Sequence, residues 1–459
     1  MKLVVVGGGP GGYVAAIKAA MLGAEVTVIE KESMGGTCLN YGCIPTKTLI
    51  ACSETIEYVE AAKKFGVNIE GEVKNDFNYM FDRKDKIVKQ LVGGIEYLLE
   101  QRGVKVIKGF GKLLSNKSVE VAKQDGTKEI VEADKIVIAT GSVPVVPGFF
   151  KYDGKIVITS DEVLGLKTLP KSMIIVGGGP IGCEIGQFFS KLGTEVKIVE
   201  MVDHLIPTED EDVAKILQRS FKQDKIKFFV ADSIKTVDVK DGKVFAGLGS
   251  EKTLEAELML VCVGRRPNTA GIGLEELGVT LERGKIVVND KLETSLEGVY
   301  AIGDVLSTPA LAHVASKEGI VAVMNALGKE KKMDYKAWPR CIFTSPEVSS
   351  VGFTEKQLKD NKTEYKVGKF DFRGLGKAQA IGKLQGFVKV ITDMNNVIIG
   401  AAIIGTHASD LLAELTLAVH YGLTSEQVGD VIHPHPTLSE AIMEACHDVN
   451  DECVHNAKK

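Results

Sequence analysis

The sequence has one tryptophan in 459 residues and no run approaching 18 consecutive apolar residues, so no membrane-spanning helix is expected. It has no basic excess either. Lys and Arg number 56 against 61 Asp and Glu, a formal net charge of −5, and no basic run stands out. Nucleic acid and anionic membrane surfaces are therefore not expected as partners. Eight cysteines over this length are too few for a secreted disulfide scaffold. Nor is a signal segment expected. MKLVVVGGGPGG carries one early lysine and then glycines where an apolar stretch would continue, so a cytoplasmic protein is expected. With 44% apolar and 25% charged residues the chain reads as an ordinary globular protein, too long for one core, and two to four domains are expected.

What the sequence does have is one glycine motif written twice. The apolar run Leu3 to Val6 reads as a buried parallel strand. It leads into Gly7-x-Gly9-x-x-Gly12, a helix over Tyr13 to Leu22, and a second strand, Glu25 to Ile29, that ends at Glu30. Such glycines permit a tight turn and close approach to a pyrophosphate at a helix N-terminus, and the acid accepts hydrogen bonds from a ribose. The pattern returns at an offset of 170 residues, pairing Gly7 with Gly177, Gly12 with Gly182, Gly23 with Gly193 and Glu30 with Glu200, with Gly179 inside the second copy. Two bound dinucleotides are expected. Glu200 further favours NAD over NADP, since a carboxylate repels a 2′-phosphate and Met201-Val202-Asp203-His204 offers no Arg or Lys.

Between the copies lies GGTCLNYGCIPTK, with Cys38 and Cys43 five residues apart. On an ideal helix that spacing separates two thiols too far for a bridge. A disulfide there needs a distorted turn, which Gly42 and Pro45 permit. A bridge that opens and closes needs one thiol facing substrate and one stabilised as thiolate. Lys47, one helical turn past Cys43, is placed to supply positive charge. Cys52, Cys183, Cys262 and Cys341 read as scattered buried thiols.

GGTCLNYGCIPTK resembles the active-site signature of the flavoprotein pyridine nucleotide-disulfide oxidoreductases, and CLNYGCIPTK is most similar to the branch that oxidises dihydrolipoyl groups. The resemblance covers essentially the whole chain. It implies FAD at Gly7, Gly9, Gly12 and Glu30, with Lys47 near the flavin. It implies NAD at Gly177, Gly179, Gly182 and Glu200, with Glu184 beside the nicotinamide and paired with Lys47. Gly111 in KGFGK is implied beside the flavin, and Thr140, Gly141 and Ser142 in IVIATGS at the crossover out of the FAD domain. Gly264 in LVCVGRRPN is implied near NAD, Asp304 in VYAIGD at the ribityl chain, and Ala310, Leu311, Ala312 and His313 against the isoalloxazine.

Near the C-terminus His433-Pro434-His435-Pro436-Thr437 precedes Glu440 and follows a helical stretch, Leu411 to Tyr421. By spacing alone the two histidines could decorate a surface, bind a metal for which no third ligand lies nearby, or move protons near neutrality. HPHPTLSE resembles the family signature in which the second histidine is a base and the glutamate its partner. That implies His435 and Glu440 in those roles, a homodimer in which the histidine reaches the other subunit's flavin, and no metal. Pro434 departs from the alanine common there.

The fold class expected is α/β, with two Rossmann-like domains for FAD and NAD and a C-terminal α+β dimerisation domain. The limits read as 1–143 for FAD, 144–265 for NAD, 266–335 for a central segment completing the FAD domain, and 336–459 for dimerisation. The function implied is reoxidation of dihydrolipoyl groups of a 2-oxo acid dehydrogenase or glycine cleavage complex, through Cys38–Cys43 and FAD to NAD+. The chain starts on the first nucleotide strand, so the lipoyl domain or carrier is expected from another protein. A glutathione-type reductase, disfavoured by Glu200, and a mercuric reductase, disfavoured because Cys446 and Cys453 are seven apart rather than adjacent, remain alternatives. A non-enzymatic NAD-responsive binding protein is a third, which would leave the cysteine pair and His435 idle.

Overall fold

In the computed structural model, which describes residues 1–456, the first apolar run forms the strand Lys2–Val6 at the centre of a five-stranded parallel sheet. Its order is Val299–Ala301, Lys135–Ile138, Lys2–Val6, Glu25–Glu30, Lys105–Lys108. A strand from near residue 300 thus completes a sheet otherwise built from the first 140 residues. The second copy repeats the plan, with Ser172–Val176 between Glu195–Val199 and Leu258–Val261 and with Lys227–Phe229 and Val157–Ile158 at the edges.

The glycines explain themselves sterically. Gly7 and Gly177 lie at φ +108° and +109°, a region L-residues rarely adopt. A Cβ on Gly12 would stand 1.9 Å from the Gly7 carbonyl oxygen, and one on Gly182 would stand 2.1 Å from that of Gly177. Only glycine lets each helix sit so close to its strand. The helices begin earlier than the sequence suggests, at Pro10 and Pro180. Proline suits a first turn, whose N–H groups have no intrahelical acceptor.

The sequence reading did not anticipate two antiparallel three-stranded sheets. One runs Phe110–Ser115, Ser118–Ala122, Lys128–Glu132, and the other Ile234–Lys240, Lys243–Leu248, Thr253–Ala256. Their alternation of buried and exposed residues marks sheets packed on one face. A short antiparallel pair, Ser142–Pro144 with Arg265–Pro267, joins the two chain crossings between the nucleotide sheets.

The C-terminal part is a five-stranded antiparallel sheet in the order Arg340–Ile342, Glu347–Gly352, Ile398–Gly405, Phe387–Thr392, Lys366–Asp371. Helices Ala408–Tyr421 and Glu440–Asp448 share its core. Lys389 lies fully buried on this sheet. Its ammonium is 2.7 Å from Asp210 and Asp212 and 3.0 Å from Glu355. Burial opposes its charge, but the Asp212 and Asp210 carboxylates outweigh that and hold its pKa above the usual lysine value. Those three acids are the one cluster of metal-ligand type among the described residues, and the lysine sits among them. No helix among the described residues is long and apolar enough to cross a membrane.

Candidate active site

Cys38 does not share a helix with Cys43. Cys38 lies in a short helix, Gly36–Asn40, and Cys43 opens the next one, Cys43–Ala61. Asn40 donates to the carbonyls of Met34 and Gly36, at 3.0 Å each, and so closes the short helix on itself. Gly42 makes the break, at φ −144° and ψ −111°. A Cβ there would lie 3.1 Å from the Thr37 carbonyl oxygen and 3.4 Å from Cys38 Cα. The missing side chain therefore lets the second helix start directly against Cys38. Pro45 falls in the first turn, where its missing N–H costs nothing.

The two cysteines lie side by side, unbridged, with a side-chain hydrogen bond between them. Cys43 is the more exposed, the reverse of the order expected if accessibility alone marked the substrate-facing thiol. Electrostatics separates them in the other sense. The hydrogen bond from Cys38 lowers the Cys43 pKa to about 7 against the opposing effect of burial, and the Lys47 charge lowers it further. The Cys38 thiol is pushed above its usual range by that same hydrogen bond and by burial. Cys43 is thus the thiol more readily ionised of the two.

Lys47 Nζ donates to both oxygens of Glu184, at 2.8 and 3.0 Å. Glu184 Oε1 also accepts the Phe343 N–H at 2.8 Å, and Lys47 stands 4.5 Å above the Phe343 ring. One buried carboxylate thus ties the redox helix, the helix of the second glycine motif and the C-terminal domain together. From this follows the first expectation. Alkylation of the reduced protein, followed against pH, titrates Cys43 with a midpoint near 7. The reactive thiolate accumulates above that pH and is lost below it. Lys47→Ala moves the midpoint up, and Glu184→Gln, which removes an anion that raises it, moves it down. Shifts of the opposite sign would refute this electrostatic account.

Glu30 and Glu200 match in detail. Glu30 accepts the N–H of Gly8 at 2.6 Å and of Glu32 at 2.7 Å. Glu200 accepts those of Gly178 at 2.6 Å and Val202 at 3.0 Å. The residues fit two dinucleotides. A Cβ on Gly9 would meet only Gly36 Cα, at 3.9 Å, and one on Gly179 would meet nothing within 4 Å. The helices behind them start without a side-chain cap, so their first N–H groups face that space. Gly141 and Gly264 also border open space, at φ +70° and +124°. Gly111 instead faces the sheet, where a Cβ would lie 3.0 Å from Val6.

Ser142 Oγ donates to Asp304 at 2.6 Å and accepts from Arg265 Nε at 2.8 Å. Arg265 also bonds the Ser142 carbonyl at 2.8 Å and reaches Thr37, next to Cys38, at 3.5 Å. Thr140 donates to the carbonyl of Asn268 at 2.8 Å. Arg265 and Phe343 were missed from sequence. Arg265 lies in a motif that was noticed, but Ser142 is 123 residues away and nothing local names it. Ala310 is exposed, Leu311 caps the helix Ala312–Ala326, and His313 bonds the Pro339 carbonyl at 2.9 Å.

His435 and His433 prove unlike. His435 Nδ1 lies 2.8 Å from Glu440, its side chain 75% exposed, and Nε2 has no hydrogen-bond partner among the described residues. The His433 side chain is 4% exposed, and both its nitrogens are engaged, by the Val431 carbonyl at 2.7 Å and Glu414 at 2.9 Å. Within one chain His435 is not hydrogen-bonded to either redox cysteine. Glu440, which also accepts the Thr437 N–H at 2.8 Å, is held below the usual carboxylate range by bonds from His435 and Thr437 that outweigh burial.

Residues 1–319 match the family described as pyridine nucleotide-disulphide oxidoreductase, and residues 338–446 match its dimerisation domain. The chain belongs to this family. It is an oxidoreductase with a flavoprotein disulfide reductase fold, and its cofactors are FAD and NAD. Among its relatives are dihydrolipoyl dehydrogenase 2, mitochondrial, of Arabidopsis thaliana, 42% identical over 99% of this chain and 91% of that one. A dihydrolipoyl dehydrogenase of Bacillus subtilis is 40% identical over 99% and 98%. The solved structure of LpdA from Mycobacterium tuberculosis superimposes with a TM-score of 0.91 at 29% identity, covering 97% of this chain and 99% of that one.

Proposed function

We propose that this protein oxidises dihydrolipoyl groups with NAD+, acting as a homodimeric dihydrolipoyl dehydrogenase on a lipoyl domain or lipoyl carrier. The observation that carries the reading is the Cys38–Cys43 pair, its Cys43 member lowered to about 7, held beside Lys47–Glu184 at the second nucleotide helix. Relatives of that name across 99% of the chain support the substrate class.

The steps use this chain's own groups. His435, oriented by Glu440, accepts a proton from one substrate thiol through its free Nε2. The resulting thiolate attacks Cys38 Sγ in the oxidised enzyme, and the Cys38–Cys43 bond breaks with Cys43 leaving as thiolate. The second substrate thiol then displaces Cys38, closing the lipoyl disulfide and leaving the enzyme dithiol. Bound FAD supplies the two-electron path from that dithiol to NAD+. A low Cys43 pKa makes it the better leaving group, and the raised Cys38 pKa keeps it from competing as an anion. The His435 of a second copy completes the site, a reading supported by the match to the family's dimerisation domain and by the lack of a hydrogen bond from this histidine to either thiol among the described residues. A cytoplasmic location agrees with unpaired cysteines such as buried Cys183 and Cys446.

Steady-state assays with dihydrolipoamide, glutathione and Hg(II), each with NAD(H) and NADP(H), test the reading. Dihydrolipoamide with NAD+ is expected to give the highest kcat/KM, and faster turnover of glutathione or Hg(II) would overturn it. Glu200→Arg is expected to depress NAD use and raise NADP use, because a cation replaces an anion at the 2′ position. A wild-type preference for NADPH would contradict the assignment of Glu200.

A further inference from the structure

Glu318 has 0% of its surface exposed and no ion pair among the described residues. Burial pushes its carboxyl above the usual range, opposed by hydrogen bonds from Tyr335 and Gly303. A buried acid without a counter-ion is costly, and it persists only where its hydrogen bonds matter. Glu318 accepts the Gly303 N–H at 2.6 Å on Oε2 and the Tyr335 hydroxyl at 2.7 Å on Oε1. Gly303 sits at φ +75° and opens the turn Gly303–Val305, which carries Asp304. Tyr335 lies on the connector from helix Ala312–Ala326 to the C-terminal sheet.

The helix that bears Glu318 is itself fixed to the first glycine motif. Ser316 donates to the Pro10 carbonyl at 3.3 Å, and a Cβ on Gly319 would lie 2.6 Å from the Gly11 carbonyl oxygen. Glu318 therefore links three parts: the helix seated on the first motif, the turn that aims Asp304, and the connector to the C-terminal domain.

We propose that Glu318 is a positioning residue for FAD, fixing the Gly303 turn so that Asp304 keeps its place on Ser142 Oγ, with Tyr335 holding its second oxygen. This rests on the reading of Asp304 and the first motif as the FAD site. Its consequence is that the connector to the dimerisation domain helps retain the flavin. In Glu318→Ala the buried Gly303 N–H loses its acceptor and the turn is released. In Glu318→Gln the amide oxygen still accepts from Gly303 and the amide nitrogen can donate to the Tyr335 oxygen.

The test follows FAD release from diluted holoenzyme by the rise in flavin fluorescence, beside NAD affinity measured on the same preparations. Glu318→Ala is expected to release FAD about tenfold faster, the scale of one buried donor left unpaired. Tyr335→Phe gives a smaller acceleration, Glu318→Gln stays near wild type, and NAD affinity is unchanged in all three. Because Glu318 acts through Asp304, Asp304→Ala with Glu318→Ala releases FAD little faster than Asp304→Ala alone. Wild-type release from Glu318→Ala and Tyr335→Phe, while Asp304→Ala is fast, would overturn the role of Glu318 alone. Wild-type release from Asp304→Ala would overturn the underlying site reading as well. Should Glu318→Ala fail to fold, fast release from Glu318→Gln equal to that of Asp304→Ala, or none from Tyr335→Phe, is decisive against the proposal.

Discussion

His435→Gln is expected to slow dihydrolipoamide oxidation by about 10²- to 10⁴-fold, the usual contribution of a general base, while flavin content stays normal. The structure sharpens this beyond a choice between two neighbouring histidines. Among the described residues His435 Nε2 has no hydrogen-bond partner and the side chain is 75% exposed, whereas His433 has both nitrogens occupied in a buried setting. His433→Gln is therefore expected to lower thermal stability, through the lost bond to Glu414, with a much smaller effect on rate. Glu440→Gln falls between, because it orients the ring and stabilises its charged form without touching substrate. NADH oxidation by an artificial one-electron acceptor bypasses the dithiol and survives in all three. Equal rate losses at positions 433 and 435, or loss of the bypass activity with FAD still bound, would defeat the assignment.

Cys38→Ser and Cys43→Ser should each lower dihydrolipoamide oxidation by about 10⁴-fold or more, the scale for loss of a covalent catalyst. They are distinguishable by colour. Cys38→Ser leaves Cys43 permanently without a disulfide partner, and long-wavelength absorbance appears without reductant. That absorbance fades as pH falls, because protonation of Cys43 removes the donor, and its midpoint lies above that of the intact pair to the extent that the Cys38 hydrogen bond is lost. Cys43→Ser lacks such a band near neutral pH, since burial still raises the remaining thiol once its bond to Cys43 is gone. If the band belongs to Cys43→Ser instead, the roles of the two sulfurs are exchanged.

The limits of the sequence reading show at particular elements. The early helix starts at Pro10 and Pro180 were hidden by glycines that usually weaken a helix, although in a first turn they cost little. The break between Cys38 and Cys43 was legible as a requirement, but not its form. Two helices abutting across Gly42 depend on how closely that residue approaches Thr37 and Cys38. The two three-stranded sheets escaped because short alternating strands carry a weak local signal beside the continuous apolar runs of buried parallel strands.

What the sequence by itself determined is everything encoded by residue type at short range. A positive φ at Gly7 and Gly177, a strand too close to its helix for any Cβ at Gly12 and Gly182, and a cysteine pair needing a glycine break are backbone constraints. They can be read wherever those residues occur. Tertiary structure alone decided which polar groups meet. Glu184 joins Phe343 across 159 residues, beyond the Lys47 pairing that the family resemblance implied, and Ser142 joins Asp304 and Arg265 across 162 and 123. Glu318 holds Gly303 and Tyr335 from a helix pinned to the first motif. No local pattern specifies such partners, because a buried polar group takes whichever donor the packing of distant elements brings within hydrogen-bonding distance.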